Sequence, residues 1–108
     1  MAETIGGFAE RVAGQVAGWG PARWRATTSA SGARTRREVL YELVQHLADL
    51  CADLEDRERR SVPHLENDYA LPDQLRVVAA DLDSAGPDEL TADKALVALR
   101  ETHSVIFA

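Results

Sequence analysis

Hydrophobic residues recur with helical spacing in four segments of the chain. In the first segment, apolar side chains fall at i, i+3, i+4, i+7, i+8, i+11 and i+14 counted from Ile5, which is the stripe of an amphipathic helix. Gly20-Pro21 follows the last of them, and neither residue favours continuation of a helix. The spacing therefore predicts a first helix over residues 3–19.

The second helix has the clearest start signal. Thr35-Arg36-Arg37-Glu38 matches the capping box, in which the Thr hydroxyl and the Glu carboxylate bond free backbone amides at a helix start. Apolar positions continue as far as Leu54, and three arginines follow within residues 57–60, where cations complement the helix dipole. We predict a helix over 35–60, about 37 Å long. Because a domain of this size is about 26 Å across, one helix end should project or the molecule should be elongated.

Two shorter helices complete the pattern. Leu75, Val78, Ala79 and Leu82 share one face of a helix over 72–85, and Ala95, Leu96, Leu99, His103 and Ile106 share one face of a helix over 88–106. No segment alternates with period two, so we expect no sheet. The chain has room for one core. We predict one all-α domain over 1–108, a small antiparallel (up-down) four-helix bundle with a long second helix.

A basic segment lies between the first two helices. Residues 20–34 are rich in Ala, Ser, Thr and Gly and lack an apolar period, so we predict a mobile basic connection. Residues 22–37 contain five arginines and no acid, and the last two would occupy a helix start, where the dipole favours anions. Such a site can bind phosphate or carboxylate. The predicted anion-binding residues are Arg23, Trp24, Arg34, Arg36 and Arg37. In the alternative, Trp19 and Trp24 cover one end of the core and the arginines pair with the acidic C-terminal helices.

The net charge of −6 is unevenly distributed. Residues 1–60 hold nine basic and nine acidic side chains, whereas residues 61–108 hold three and nine. An acidic chain is repelled by polyphosphate, so the balance does not favour a nucleic-acid partner. Eleven of the twelve basic residues are Arg and eighteen residues are Ala, a composition that we associate with high-GC bacterial genomes.

Membrane insertion and cysteine chemistry are not indicated. No eighteen apolar residues run together, and residues 1–4 carry an acid and no basic segment, so we expect neither a membrane span nor a signal peptide and predict a cytoplasmic protein. Cys51 is the single cysteine, which excludes an internal disulfide and a CxxC zinc motif. It lies between Leu50 and Leu54, where it acts as a small hydrophobe. We expect no cofactor.

The three histidines form a weaker alternative site. His46, His64 and His103 come from different predicted elements, and such a trio can bind zinc or iron inside a helical bundle. Their spacing has neither an HxxxH nor an ExxH pattern. We interpret them as half-buried core histidines and keep a three-histidine metal site as the alternative.

Two apolar or small-residue features suggest interactions. Gly14 and Gly18 lie four residues apart on one side of the first helix, which favours close packing against a neighbouring helix, with a dimer seam as the alternative. The tail Val105, Ile106 and Phe107 is apolar. We therefore expect a small non-enzymatic helical protein-protein interaction module that self-associates or docks a partner helix. The alternative function is a bundle that binds an anionic small molecule, or an enzyme, with its site near the Arg/Trp stretch 19–37.

Overall fold

Residues 3–108 fold into five helices and no sheet. The computed structural model describes residues 3–108; Met1 and Ala2, on which part of the argument against a signal peptide depends, lie outside this range. The helices are α1 (Ile5–Val16), α2 (Pro21–Trp24), α3 (Arg36–Leu54), α4 (Ala70–Ser84) and α5 (Glu89–Ile106). Within residues 3–108 the β-structure is one isolated bridge between Thr27 and Thr35, so the all-α prediction is confirmed. No helix in the described part of the chain is long and apolar enough to cross a membrane.

Polar side chains cap the N-termini of α1, α3 and α5. In each case the residue before the helix has an extended backbone and a polar side chain. The capping box forms as expected, because Thr35 Oγ1 accepts from the Glu38 amide at 3.2 Å and Glu38 Oε1 accepts from the Thr35 amide at 3.5 Å. Thr4 accepts from the third residue of α1 at 2.9 Å, and Asp88 accepts from the third residue of α5 at 3.1 Å. Each bond satisfies an amide that has no partner inside its helix.

The second long helix ends earlier than predicted. Asp56 has a φ of 54°, its amide donates to Asp53 O at 3.2 Å, and the Arg57 amide donates to Ala52 O at 2.8 Å. These two bonds form the Schellman motif, and Asp is one of the few side chains that tolerate the left-handed conformation. With 19 residues, α3 is about 28 Å long, shorter than the 37 Å longest dimension of the molecule. The predicted length of 37 Å is therefore wrong, and α3 fits within the molecule without the projecting end or the elongated shape that this length required.

The connection 55–69 returns along α3 to its start. Tyr41 Oη donates to Val62 O at 2.5 Å, and Gln45 Oε1 accepts from the Val62 amide at 2.8 Å. Nearer the start of α3, Arg37 Nη2 donates to Leu65 O at 2.8 Å. Because α4 begins there, α3 and α4 run parallel. This parallel pair differs from the expected up-down order. It is possible because the fifteen residues of the connection can span about 50 Å, which is enough to carry the chain from the end of α3 back to its start.

The four long helices surround one core. The backbone of α4 packs against α1 and α3, and that of α5 packs against α3 and α1. Arg76 Nε lies 2.8 Å from Glu10 Oε2, and Asp83 Oδ2 accepts from the Gly6 amide at 2.8 Å, so α1 and α4 run antiparallel. The fully buried side chains are contributed by every helix and include Val12, Trp24, Leu40, Leu47, Leu75, Leu99 and Ile106.

The basic segment 20–34 packs against the ends of α3 and α5. Trp24 is 1% exposed and belongs to the core, and Ser31 is buried. Thr28 Oγ1 donates to Val105 O at 2.8 Å, and the Arg36 amide donates to Ala26 O at 2.9 Å. These contacts give the segment a defined path, while its predicted mobility stays a prediction.

Candidate functional site

Arg36, at the start of α3, binds the C-terminal end of α5. Its Nε donates to Ile106 O at 2.9 Å, and its guanidinium carbon lies 5.6 Å from the centre of the Trp19 ring. Ile106 is the last residue of α5, where free carbonyls carry partial negative charge. The arginine at the start of α3 therefore finds an acceptor inside the chain, which offsets the unfavourable position that its own helix gives it.

The two tryptophans lie in the core next to this contact. Trp19 is 6% exposed and packs edge to face on Trp24 at 5.1 Å and on Phe107 at 5.3 Å. Arg23 lies over the Trp19 ring at 5.5 Å. Trp24 Nε1 is buried and has no hydrogen-bond partner within residues 3–108. The two tryptophans thus extend the core, which is what the alternative interpretation of the basic segment predicted.

Arg34 and Arg37 are engaged by carboxylates close to α3. Arg34, which precedes the Thr35 cap, pairs with Glu42 of α3. Arg37 Nε lies 2.7 Å from Oδ1 of Asp68, which is 7% exposed, although no hydrogen bond points at that oxygen, so the contact is an ion pair. The arginines therefore pair with α3 and with a residue that precedes α4, and not with the acidic faces of α4 and α5. The five residues predicted to bind an anion do not converge on one site.

Gly14 and Gly18 do not pack closely against another helix within residues 3–108, while the alternative of a dimer seam stays a prediction. Gly14 is exposed, Gly18 lies beyond the end of α1, and a Cβ added at either would meet no heavy atom within 4 Å. A close approach occurs instead at Gly6, where a Cβ would lie 2.6 Å from Asp83 Oδ2. The distant carboxylate completes the start of α1, which no local pattern in the sequence indicates.

The C-terminal tail is part of the fold. Ile106 is fully buried, and Val105 is half-buried with its carbonyl bonded to Thr28. Phe107 remains 43% exposed and packs on Trp19 and His103. The tail is therefore not a free docking segment, because its central residue is needed for the core.

The three histidines lie apart. His46 is exposed on α3 beside α5, and His64 is exposed in the connection 55–69, where it stacks on Tyr41 with ring centres 3.6 Å apart. His103 is half-buried, with Nε2 3.0 Å from Gln15 Oε1. Within residues 3–108 no group of three or more His, Cys, Asp or Glu side chains could hold a metal ion. The structure does not assemble the three-histidine site, and the half-buried interpretation holds for His103 alone.

Cys51 has the surroundings of an unreactive thiol. The residue is 3% exposed, and its Sγ donates to Glu55 Oε1 at 3.3 Å. Burial, together with the hydrogen bond and negative charge of Glu55, raises the pKa of the thiol above its ordinary value. A raised pKa keeps the thiol protonated at neutral pH, so it contributes packing rather than a nucleophile.

The structure brings together two adjacent concave surfaces that the sequence did not indicate. We call the first the α3 cavity: it has a volume of about 530 Å³ and lies between the start of α3, the connection 55–69 and α4, with Arg25, Arg37, Tyr41, His64, Leu65 and Gln74 in its wall. We call the second the α4 groove: it has a volume of about 420 Å³ and is lined mainly by Val62, Pro63, Leu65, Ala70, Val77 and Val78. Leu65 and Gln74 belong to both walls.

The α4 groove exposes large apolar side chains. Leu65 is 45% exposed and Val77 is 59% exposed, and both line the groove. No sequence pattern indicates this surface, because residues 61–69 have no apolar period and Val77 lies outside the stripe that predicted the third helix.

Comparison with known proteins returned no match, since no family model, curated protein or solved structure matches the chain. The two surfaces are therefore interpreted from their own chemistry.

Proposed function

We propose that this chain is a small non-enzymatic protein-protein interaction module and that it docks its partner in the α4 groove. The observation that supports the proposal is the exposure of two large apolar side chains, Leu65 and Val77, in the wall of this groove. Contiguous apolar surface of this kind marks sites of interaction in folded proteins. The groove replaces the glycine face and the C-terminal tail as the docking surface.

The size of the α4 groove favours a short segment of a partner over a second copy of the chain. Eight residues line the groove, whereas a stable interface between two globular proteins uses about 20–30 residues on each side. An amphipathic helix or an extended peptide can bind such a groove with a few apolar anchors. We therefore propose a monomeric protein that binds one short segment.

The charges beside the α4 groove favour basic residues on that segment. Asp73 lies in the groove wall, and Asp81 is exposed eight residues later. With Val77 between them, the three share one exposed face of α4 at i, i+4 and i+8. Asp81 makes no ion pair within residues 3–108, whereas Asp73 is paired with Arg76 at 3.0 Å. A partner helix with apolar anchors flanked by Lys or Arg would match this face.

Selection from a random library of helix-forming peptides tests the proposal. Peptides selected on the wild-type protein should carry apolar residues at helical spacing together with Lys or Arg. Their binding should be lost in Val77→Lys, which removes an anchor and repels basic residues. Leu90→Lys is the matched control, because Leu90 is 62% exposed on α5 and lies outside the groove. Equal binding to Val77→Lys, or equal loss in Leu90→Lys, would contradict the proposal.

The alternative function near residues 19–37 has less support. Arg36 donates to the Ile106 carbonyl of α5 and Arg34 pairs with Glu42, so two of the four arginines predicted to bind an anion already have acceptors within the chain. Sedimentation velocity separates self-association from docking: a monomer over the micromolar range is expected here, and a concentration-dependent oligomer would favour self-association. The cytoplasmic location expected from the sequence stays a prediction.

A further inference from the structure

We propose that the α3 cavity binds a small organic anion, a carboxylate or a phosphate monoester that carries an apolar group. This inference does not rest on the α4 groove. The volume of about 530 Å³ is in the range of cavities that hold small molecules, about 300–1,000 Å³. The site differs from the one predicted at residues 23–37, because Arg25 takes the place of Arg23, Arg34 and Arg36.

Two arginines supply free donors to the cavity wall. Arg25 is exposed, and its side chain makes no hydrogen bond or ion pair within residues 3–108. Arg37 uses Nε toward Asp68 and Nη2 toward Leu65 O, which leaves Nη1 without an acceptor in the described part of the chain. Guanidinium groups bind carboxylate and phosphate through paired N–H donors. The cavity therefore presents cationic donors that the fold itself does not use.

The acidic side chains of the same wall are engaged elsewhere. Glu42 pairs with Arg34, and Glu38 accepts from the amide and hydroxyl of Thr35. Gln74 Nε2 donates to Pro63 O at 3.0 Å, so its amide is held in place. The charge of Glu42 is thus paired with Arg34, and the Glu38 carboxylate is held at the Thr35 cap, while the charge of Arg25 has no partner in the described part of the chain.

The remaining wall suits an apolar group. Tyr41 is half-buried and stacks on His64 with an interplanar angle of 20°. Leu65 and Leu71 complete this side. A ligand that combines an aromatic or aliphatic body with one anionic group would contact both halves of the wall, whereas an inorganic ion would contact the arginines alone.

Calorimetric titration with defined probes tests the inference. Benzoate and phenyl phosphate represent the two anionic groups, acetate and inorganic phosphate lack the apolar body, and benzamide lacks the charge. At constant ionic strength, saturable binding is expected for benzoate or phenyl phosphate, and weaker binding for the other three. The preferred probe of the first pair identifies the anionic group. Absence of saturable binding by both, or equal binding of benzamide, would overturn the inference.

Two variants locate the site. Arg25→Ala should weaken binding by about tenfold or more, because it removes charge-assisted hydrogen bonds, and it should leave the melting temperature unchanged. Arg23→Ala is the matched control: Arg23 lies over Trp19 and is not part of the cavity wall, so its loss should leave affinity within about twofold. Equal weakening by the two variants would show a non-specific charge effect and overturn the assignment. Arg37→Ala is unsuitable, since it would leave Asp68 buried without its partner.

Discussion

Replacing glycine by alanine at two positions of α1 should change stability in opposite directions. Gly14 is exposed in the helix interior, and an added Cβ would meet no heavy atom within 4 Å. At Gly6 the added Cβ would lie 2.6 Å from Asp83 Oδ2, which accepts from the Gly6 amide at 2.8 Å. The same substitution therefore tests whether close packing occurs at the first turn of α1 or along its outer face.

The expected magnitudes follow from these contacts. Alanine at Gly14 should stabilise the fold by about 0.5–1 kcal/mol, because it restricts the unfolded chain and favours the helix. Alanine at Gly6 has the same benefit but displaces the Asp83 carboxylate, and a hydrogen bond to a charged group contributes about 1.5–3 kcal/mol. The net result should be a loss of about 0.5–2 kcal/mol. For a domain of this size, about 1 kcal/mol corresponds to about 4 °C or more in Tm.

Thermal denaturation followed by circular dichroism measures both effects. Tm should rise in Gly14→Ala and fall in Gly6→Ala. In an Asp83→Ala background, Gly6→Ala should raise Tm, because the carboxylate that obstructs the methyl group is absent. A similar rise in both single variants would refute the close contact at Gly6. A fall in Gly14→Ala would show that a partner or a second copy packs against that face.

Three further predictions concern α5 and the start of α3. Ile106→Ala should lower the free energy of unfolding, measured by urea denaturation, by about 2–5 kcal/mol, as expected for a core side chain. A loss below about 1 kcal/mol would show that Ile106 is not a core residue. Arg36→Ala should lower the free energy of unfolding more than Arg34→Ala. The exposed ion pair of Arg34 contributes about 1 kcal/mol or less, whereas loss of Arg36 leaves the α5 carbonyl without its donor. Equal losses in the two variants would contradict this. Hydrogen bonds from Thr91 hold the pKa of Asp88 below its ordinary value, so its carboxylate stabilises the fold above about pH 4 and loses that contribution as pH falls through the folded-state pKa. Asp88→Asn, which still caps the helix, should make Tm less dependent on pH in this acidic range, and an unchanged dependence would contradict the assignment.

The sequence predicts most of the secondary structure because the relevant interactions are local. The capping box at Thr35 joins residues three apart, and the apolar stripes reflect one face of each helix. The end of α3 was missed because Asp56 adopts a conformation that usually marks glycine. The parallel arrangement of α3 and α4 is not predictable from the sequence. The hydrogen bonds that direct the connection 55–69 back along α3, such as the one from Tyr41 to Val62, join an interior helical position to a segment with no apolar period.

The candidate sites were less predictable because their contacts join distant parts of the chain. The basic segment is visible in the sequence, but the acceptor of Arg36 lies 70 residues away and that of the Gly6 amide lies 77 residues away. Local charge therefore did not show which arginine stays free. The net charge of −6 is unchanged by ion pairs, but two of them join the N-terminal and C-terminal parts of the chain, Arg37 with Asp68 and Arg76 with Glu10.

Chemical-shift mapping on the ¹⁵N-labelled protein tests the proposed docking function most directly. A peptide selected on the wild-type protein is titrated, and the backbone amide shifts are followed. The largest changes should occur at Val62, Leu65, Val77 and Val78, which line the α4 groove. Leu90 and Val97, which are exposed on α5, should remain unchanged. Shifts concentrated on α5, on the outer face of α1 or at the C-terminus would contradict docking in the α4 groove.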